Sequence, residues 1–89
     1  MKLKIFLTSE MEALIPDSIE YEKYEYESLF DTNTGELLEI GNDAIISADE
    51  KSLLSWLKNF KHIWIYSDKY EEYYKFQITE ESIKKFYLN

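Results

Sequence analysis

The sequence predicts an α+β fold: a small antiparallel sheet of about five strands, one main helix at about 48–60 packed on it, and short N- and C-terminal helical segments. Three observations point there. Several stretches alternate apolar and polar residues at period two, as strands do. One stretch, following Ser47, repeats apolar residues at helical spacing. Most of the alternating stretches are joined by turn-like segments, which makes hairpin neighbours and an antiparallel sheet with helix on one face. The 89 residues and 45% hydrophobic content fit a single domain spanning 1–89 with one core.

Lys2 to Thr8 reads as the first strand, with Leu3, Ile5 and Leu7 on one face and Lys2, Lys4 and Phe6 on the other. Ser9 and Glu12 have capping-box spacing. Pro16 disfavours helical geometry at Ile15, so only a turn of helix fits before the Pro16-Asp17-Ser18 loop. From Lys23 the alternation resumes, with Tyr24, Tyr26, Ser28 and Phe30 on the expected core face and Lys23, Glu25, Glu27, Leu29 and Asp31 opposite. Glu20 and Glu22 are out of register with that pattern, so the strand begins near Lys23 or contains a bulge. Asp31 to Gly35 is a turn, with Gly35 able to take positive φ. Glu36 to Ile40 returns as a strand with Leu38 and Ile40 inward and Glu39 outward, and Gly41-Asn42-Asp43 is expected to end it as a turn.

Ser47-Ala48-Asp49-Glu50 starts the main helix, with Ser47 as the expected cap and the acids at the positive end of the helix dipole. Leu53, Trp56, Leu57 and Phe60 form its apolar stripe. Lys61 to Thr79 is an aromatic-rich hairpin turning at Ser67-Asp68-Lys69. In its first strand, Ile63 and Ile65 share one face and His62, Trp64 and Tyr66 the other, which suits a strand covered on both sides. The Trp64/Tyr66 face either meets this chain's own helices or loops or stays open as a binding surface. In its second strand, Tyr74, Phe76 and Ile78 oppose Tyr73, Lys75 and Gln77. Thr79-Glu80-Glu81 then starts a last helical segment, with Ile83, Phe86 and Tyr87 as its stripe.

Charge narrows the function classes. The net charge is −8, with ten Lys and no Arg. Such a surface repels nucleic acid and anionic lipid, and the chain lacks the bidentate Arg favoured at phosphate sites. A protein partner with a basic surface fits it, since complementary charge speeds encounter and sets register. Cysteine is absent and there is one His, so disulfide and thiolate-metal frameworks are excluded and zinc is disfavoured. With two Gly there is no phosphate loop or dinucleotide fingerprint, and no nucleophile elbow or spaced calcium loop occurs. The sequence therefore predicts a protein that is not an enzyme and carries no cofactor, no metal and no catalytic residue. The N-terminal apolar run is broken by Lys4, unlike a signal core, and no apolar stretch reaches the ~20 residues of a membrane span, so the expected location is cytoplasmic.

What remains is the acidic surface. The expected partner-binding residues are Glu20, Glu22, Glu25, Glu27, Asp31, Glu36, Glu39, Asp68, Tyr70, Glu71, Glu72 and Tyr73. Carboxylates two residues apart on one strand face lie roughly 6–7 Å apart. Such rows can imitate backbone phosphates in a Lys/Arg groove, and interleaved Tyr adds rigid contact area. The leading expectation is a small acidic inhibitor, encoded by a phage or other mobile element, that occupies a basic nucleic-acid-binding or regulatory surface of a larger enzyme, as anti-CRISPR, anti-restriction and DNA-mimic proteins do. The alternatives are an immunity protein or antitoxin neutralising a basic nuclease toxin, and a self-associating structural or accessory module. Low Arg, Gly and Ala with high Lys, Ile and Tyr is the usage of a low-GC genome.

Overall fold

A computed structural model describes residues 1–88. The elements are β1 (Lys2–Thr8), α1 (Ser9–Ala13), β2 (Glu20–Phe30), β3 (Leu37–Ser47), α2 (Glu50–Leu57), β4 (Ile63–Ser67), β5 (Glu72–Phe76) and a closing 3-10 turn (Ser82–Phe86). The five strands form one sheet in the order β2-β3-β1-β4-β5, with every pairing antiparallel. The N-terminal strand β1 is therefore the centre, and the two hairpins flank it.

Period-two alternation in β1 divides the protein. Leu3, Ile5 and Leu7 are buried beneath the helices, where they join Ala44 and Ile46 of β3, Ile63 and Ile65 of β4, Met11 of α1, Leu53, Trp56 and Leu57 of α2, and Ile83. Phe6 points the other way and is equally buried, at 0% exposure, yet lies outside that cluster. All the helical elements pack on one face, so the opposite face of the sheet has no helix over it.

The helix ends differ by one or two residues from the capping-box reading. Thr8, not Ser9, caps α1, its side chain accepting from the Met11 amide at 3.3 Å. Asp49, not Ser47, caps α2, accepting from the Ser52 amide at 2.7 Å, because Ser47 is still paired to Lys2 as the last residue of β3. That pairing delays the start of α2 to Glu50, and the helix ends at Leu57, so it spans Glu50–Leu57 rather than the expected 48–60. Its stripe is as expected: Leu53, Trp56 and Leu57 are buried, and Phe60, just past the helix end, is half-buried against the core. Trp56 also donates its indole N–H to the Met11 carbonyl at 3.2 Å, tying α2 to α1. Thr79 does start the last segment, accepting from the Ser82 amide, but only a 3-10 turn follows, and β5 stops at Phe76 rather than Thr79. Ile83 is buried, while Phe86 and Tyr87 lie against the core.

The largest correction concerns β3. Gly41-Asn42-Asp43 is not a turn; the strand runs through it to Ser47. Gly41 sits opposite Thr8, where β1 comes so close that a Cβ would lie 2.3 Å from the Leu7 carbonyl oxygen. Its glycine serves close backbone approach within a strand, not a chain reversal. A second correction follows from strand lengths. β1 pairs with β3 only from Gly41 to Ser47, so Leu37–Ile40 and the facing part of β2 project beyond the sheet as a two-stranded arm. Phe30 (58% exposed), Leu38 and Ile40, read as inward, are exposed on this arm, whereas Glu39 is half-buried; Tyr24 and Tyr26 (71%), also read as inward, are exposed on the edge strand β2 opposite Asp43 and Asn42.

Gly41→Ala should destabilise the protein by about 1–3 kcal/mol, the usual cost of forcing extra volume into a packed site, read as a lower midpoint in urea unfolding. Trp56→Ala should cost about 3–5 kcal/mol on the same measurement, because it removes the core anchor together with the bond to Met11.

Candidate functional site: the helix-free face of the sheet

The face opposite the helices is built from alternate residues of all five strands. Register places Lys4 and Phe6 of β1 beside Ile45 and Asp43 of β3, and Glu20 and Glu22 of β2 beside Ser47 and Ile45. On the other flank come Trp64 and Tyr66 of β4, paired with Lys75 and Tyr73 of β5.

Both sequence-level options for Glu20 and Glu22 turn on one local feature. The strand begins at Glu20, and a register shift between Lys23 and Tyr26 sets two residues, Tyr24 and Glu25, against the single Asp43. This is a β-bulge. Before it, even-numbered residues of β2 face away from the helices; after it, odd-numbered ones do. Glu20, Glu22 and Glu27 thereby come to one face, with Glu25 at the bulge between them. Tyr21 and Lys23 face the helix side instead, where both bond Glu12 of α1, with Lys23 Nζ 2.9 Å from its carboxylate. The Lys23 bond holds the Glu12 carboxyl below its ordinary range, with Tyr21 helping.

At the centre, Tyr73 reaches from β5 across β4 and β1 to donate its hydroxyl to Asp43 on β3. Its ring meets Phe6 edge-on at 5.6 Å and Tyr66 at 5.3 Å, and Lys4 Nζ stands 3.8 Å above the Tyr66 ring. Burial, then the bond to Asp43, pushes the Tyr73 phenol far above its usual range. The Trp64/Tyr66 face is thus not covered by a helix, and β4 is covered on one side only. Trp64, Tyr66 and Tyr73 are half-buried, Tyr66 and Tyr73 packing edge-on.

Beside this contact, carboxylate oxygens of Glu25, Glu27 and Asp43 lie within 4.8 Å of one another. Burial, followed by Asp43 and then Glu25, raises the Glu27 carboxyl, and Lys4 partly offsets this. Three carboxylates at that spacing could offer oxygens to a hard cation such as Ca²⁺, with water supplying the remainder of its six to eight ligands. Sequence reasoning missed Asp43 and Lys4 here. Asp43 was read as a turn residue, and only the bulge and the β3 register bring it to the glutamates.

The predicted partner-binding residues divide into groups. Glu27, Asp31, Glu71, Glu72 and Tyr73 line one open trough of about 680 Å³ floored by Lys4, Trp64 and Tyr66. Glu20 and Glu22 line a separate depression with Lys2 and Ser47. Asp31 also has a structural duty: its carboxylate accepts from the Asn33 and Thr34 amides to close the β2–β3 turn, which lowers its pKa. Glu36 is exposed in that turn and Glu39 lies on the arm. Asp68 and Tyr70 sit in the β4–β5 turn outside the trough, with Glu71 in the left-handed region at φ 54°. Tyr70 is exposed and packs edge-on with Tyr74. Among the described residues, no helix is long and apolar enough to cross a membrane.

Comparison with protein-family models, with curated proteins and with solved structures finds no match to this chain.

Tyr73→Phe should lower stability by about 1.5–3 kcal/mol, the range for a hydrogen bond to a charged group, seen as a lower thermal midpoint with an unchanged circular dichroism spectrum. Glu27 carries a pH signature. Its folded pKa is raised, so the folded state binds the proton more readily, and stability grows as pH falls through that raised value toward the ordinary carboxylate range near 4.5. Asp31 and Asp49, whose pKa values are lowered, act oppositely: their contributions are present above that range and are lost as pH falls through their own folded values. Glu27→Gln, a permanent neutral donor toward Asp43, should therefore raise the midpoint by a few degrees at neutral pH. The difference from wild type should vanish as pH approaches the ordinary carboxylate range.

Proposed function

We propose that this chain is a small, non-enzymatic inhibitor that binds a larger protein through the helix-free face of its sheet, with a basic nucleic-acid-binding surface as its target. The observation that carries the reading is the alignment of Glu20, Glu22, Glu25 and Glu27 with Asp43 along one edge of that face. Without the bulge, the first two glutamates would face the opposite side from the last. Glu20 and Glu22, two apart on the strand, set carboxylates roughly 6–7 Å apart, Glu25, Glu27 and Asp43 form a tighter group, and together they present fixed negative charge to a Lys/Arg groove. A sheet holds them at low entropic cost compared with a loop. Beside the row, the half-buried aromatics of the trough give a rigid apolar floor of the kind enriched at protein interfaces. The net charge of −8 adds long-range steering toward a basic partner. In this reading the protein works in the cytoplasm of a low-GC host, and its source is a phage or other mobile element.

The test is capture of partners from a low-GC bacterial lysate by the wild type and by a Glu20→Lys/Glu22→Lys/Glu25→Lys variant. Glu27 is left intact because it is partly buried against Asp43. The proposal expects a nucleic-acid-processing enzyme to be captured by the wild type, to be released by about 0.5 M salt, where screening is short-ranged, and to be lost in the triple variant. The variant should unfold within about 0.5 kcal/mol of wild type, as exposed substitutions usually do. Partners without a basic surface, or capture indifferent to salt and to the triple change, would overturn it.

A further inference from the structure

β1 ends at Thr8, opposite Gly41, and the chain turns off into α1 on the helix side. β3 does not end there. Its Leu37–Ile40 segment continues along the same line, paired on one side with β2. On its other side no backbone partner occurs among the described residues. Neighbouring strands are about 4.8 Å apart, and β1 separates β3 from β4. Beyond Thr8 the place that β1 would have filled is therefore a slot about one strand wide, with Phe60 and His62 on its far wall. A cavity of about 470 Å³ occupies it.

The lining defines the chemistry. Leu37, Leu38, Ile40 and Phe60 supply apolar surface, while Glu10 and Glu39 supply charge, and no lysine lines it. Leu38 is the residue left over where Leu29 pairs with Glu39 and Phe30 with Leu37, and it lines both this slot and the trough over Trp64. The slot and the proposed partner-binding face are thus continuous.

We infer that the slot receives an extended segment of the partner protein, alternating apolar and basic residues, which pairs with the Leu37–Ile40 edge and continues the sheet where β1 stops. This rests on the protein-binding reading above and adds the mode of binding. Main-chain hydrogen bonds to an unpaired edge give affinity, and alternate side chains give specificity. The apolar residues face the helix side, toward Ile40 and Phe60; the basic ones face the other side, where Glu39 stands with Gly41 and Asp43. Charge argues against a second copy of this chain as the occupant, because each copy carries −8 and like charges disfavour the pairing.

The test is titration of the ¹⁵N-labelled protein with a synthetic octapeptide of alternating Lys and Val, against a blocked peptide of four Lys followed by four Val. The inference expects saturable shifts and slowed amide exchange confined to Leu37–Ile40 and the slot wall with the alternating peptide, at least tenfold weaker with the blocked one. It also expects at least a tenfold loss of affinity in Leu38→Lys, a change on the exposed arm, with the remainder of the spectrum preserved. Should Leu38→Lys perturb the fold, Ile40→Lys serves the same purpose. Equal binding of both peptides, no saturable shift, or shifts confined to Glu20–Glu27 and Asp43 would overturn the slot. The last result would leave the carboxylate face standing as a binding surface, and the Glu20→Lys/Glu22→Lys/Glu25→Lys variant tests that face independently of the slot. Concentration-dependent dimerisation in sedimentation that Leu38→Lys abolishes would also overturn it, by making a second copy the occupant.

Discussion

The structure depends on how a sheet with helices on one side closes its other side. Phe6 lies in the middle strand and points away from the helices, yet it is fully buried. Its cover comes from within the sheet: Tyr73 lies over it from β5 and fixes itself by donating to Asp43. An aromatic with a polar tip suits this task, since its ring excludes water from an apolar neighbour while its hydroxyl finds an acceptor. The same bond joins the two hairpins across β1, so the strand order and the cover of Phe6 support one another. It also sets a carboxylate in the middle of the exposed face, and Glu25 and Glu27 must be accommodated around it, with Lys4 as the nearby counter-charge.

Much of the scaffold was legible because it rests on short-range patterning. The alternation of Leu3, Ile5 and Leu7, the Leu53–Trp56–Leu57 stripe and the Ile63/Ile65 pair each carry a period that one core face imposes. The limits of elements were less legible where pairing decides them. Ser47 looks like a cap in isolation, but the ladder to Lys2 claims it and passes the cap to Asp49. Gly41-Asn42-Asp43 has the composition of a turn, and only the Leu7 carbonyl, more than thirty positions away in sequence, explains a strand glycine there.

The acidic face was half legible. Its glutamates were visible, and so was the break in alternation between Glu22 and Lys23. The partner of the bulge was not, because a bulge is a relation between two strands and its second member, Asp43, carried no period of its own. The β2–β3 hairpin misled for a related reason. Tyr24, Tyr26 and Phe30 alternate as core residues do, but alternation reports a strand with two different faces, not which face is covered. β2 is an edge strand, and Tyr24 and Tyr26 stay exposed on it although they lie level with β1, while Phe30 lies past the end of β1.

The mismatch of lengths between β3 and β1 leaves one side of the arm without a backbone partner among the described residues. A bare sheet edge invites aggregation, and natural edges are blunted by short length, charge or bulges. The outer edge of β2 carries glutamates and the bulge, and β5 at the opposite edge spans only Glu72–Phe76. Those two edges are defended along their length. The inner side of the arm is defended only at Leu38, where the shifted register interrupts a ladder with no second partner. Lengthening β1 by the four residues opposite Leu37–Ile40 would have closed it. The chain instead turns into α1 at Thr8, because Met11 is needed in the core and its carbonyl is needed by Trp56. The open slot is thus a consequence of how the core is completed, and it lies beside the aromatic and acidic face, with Leu38 and Trp64 lining both.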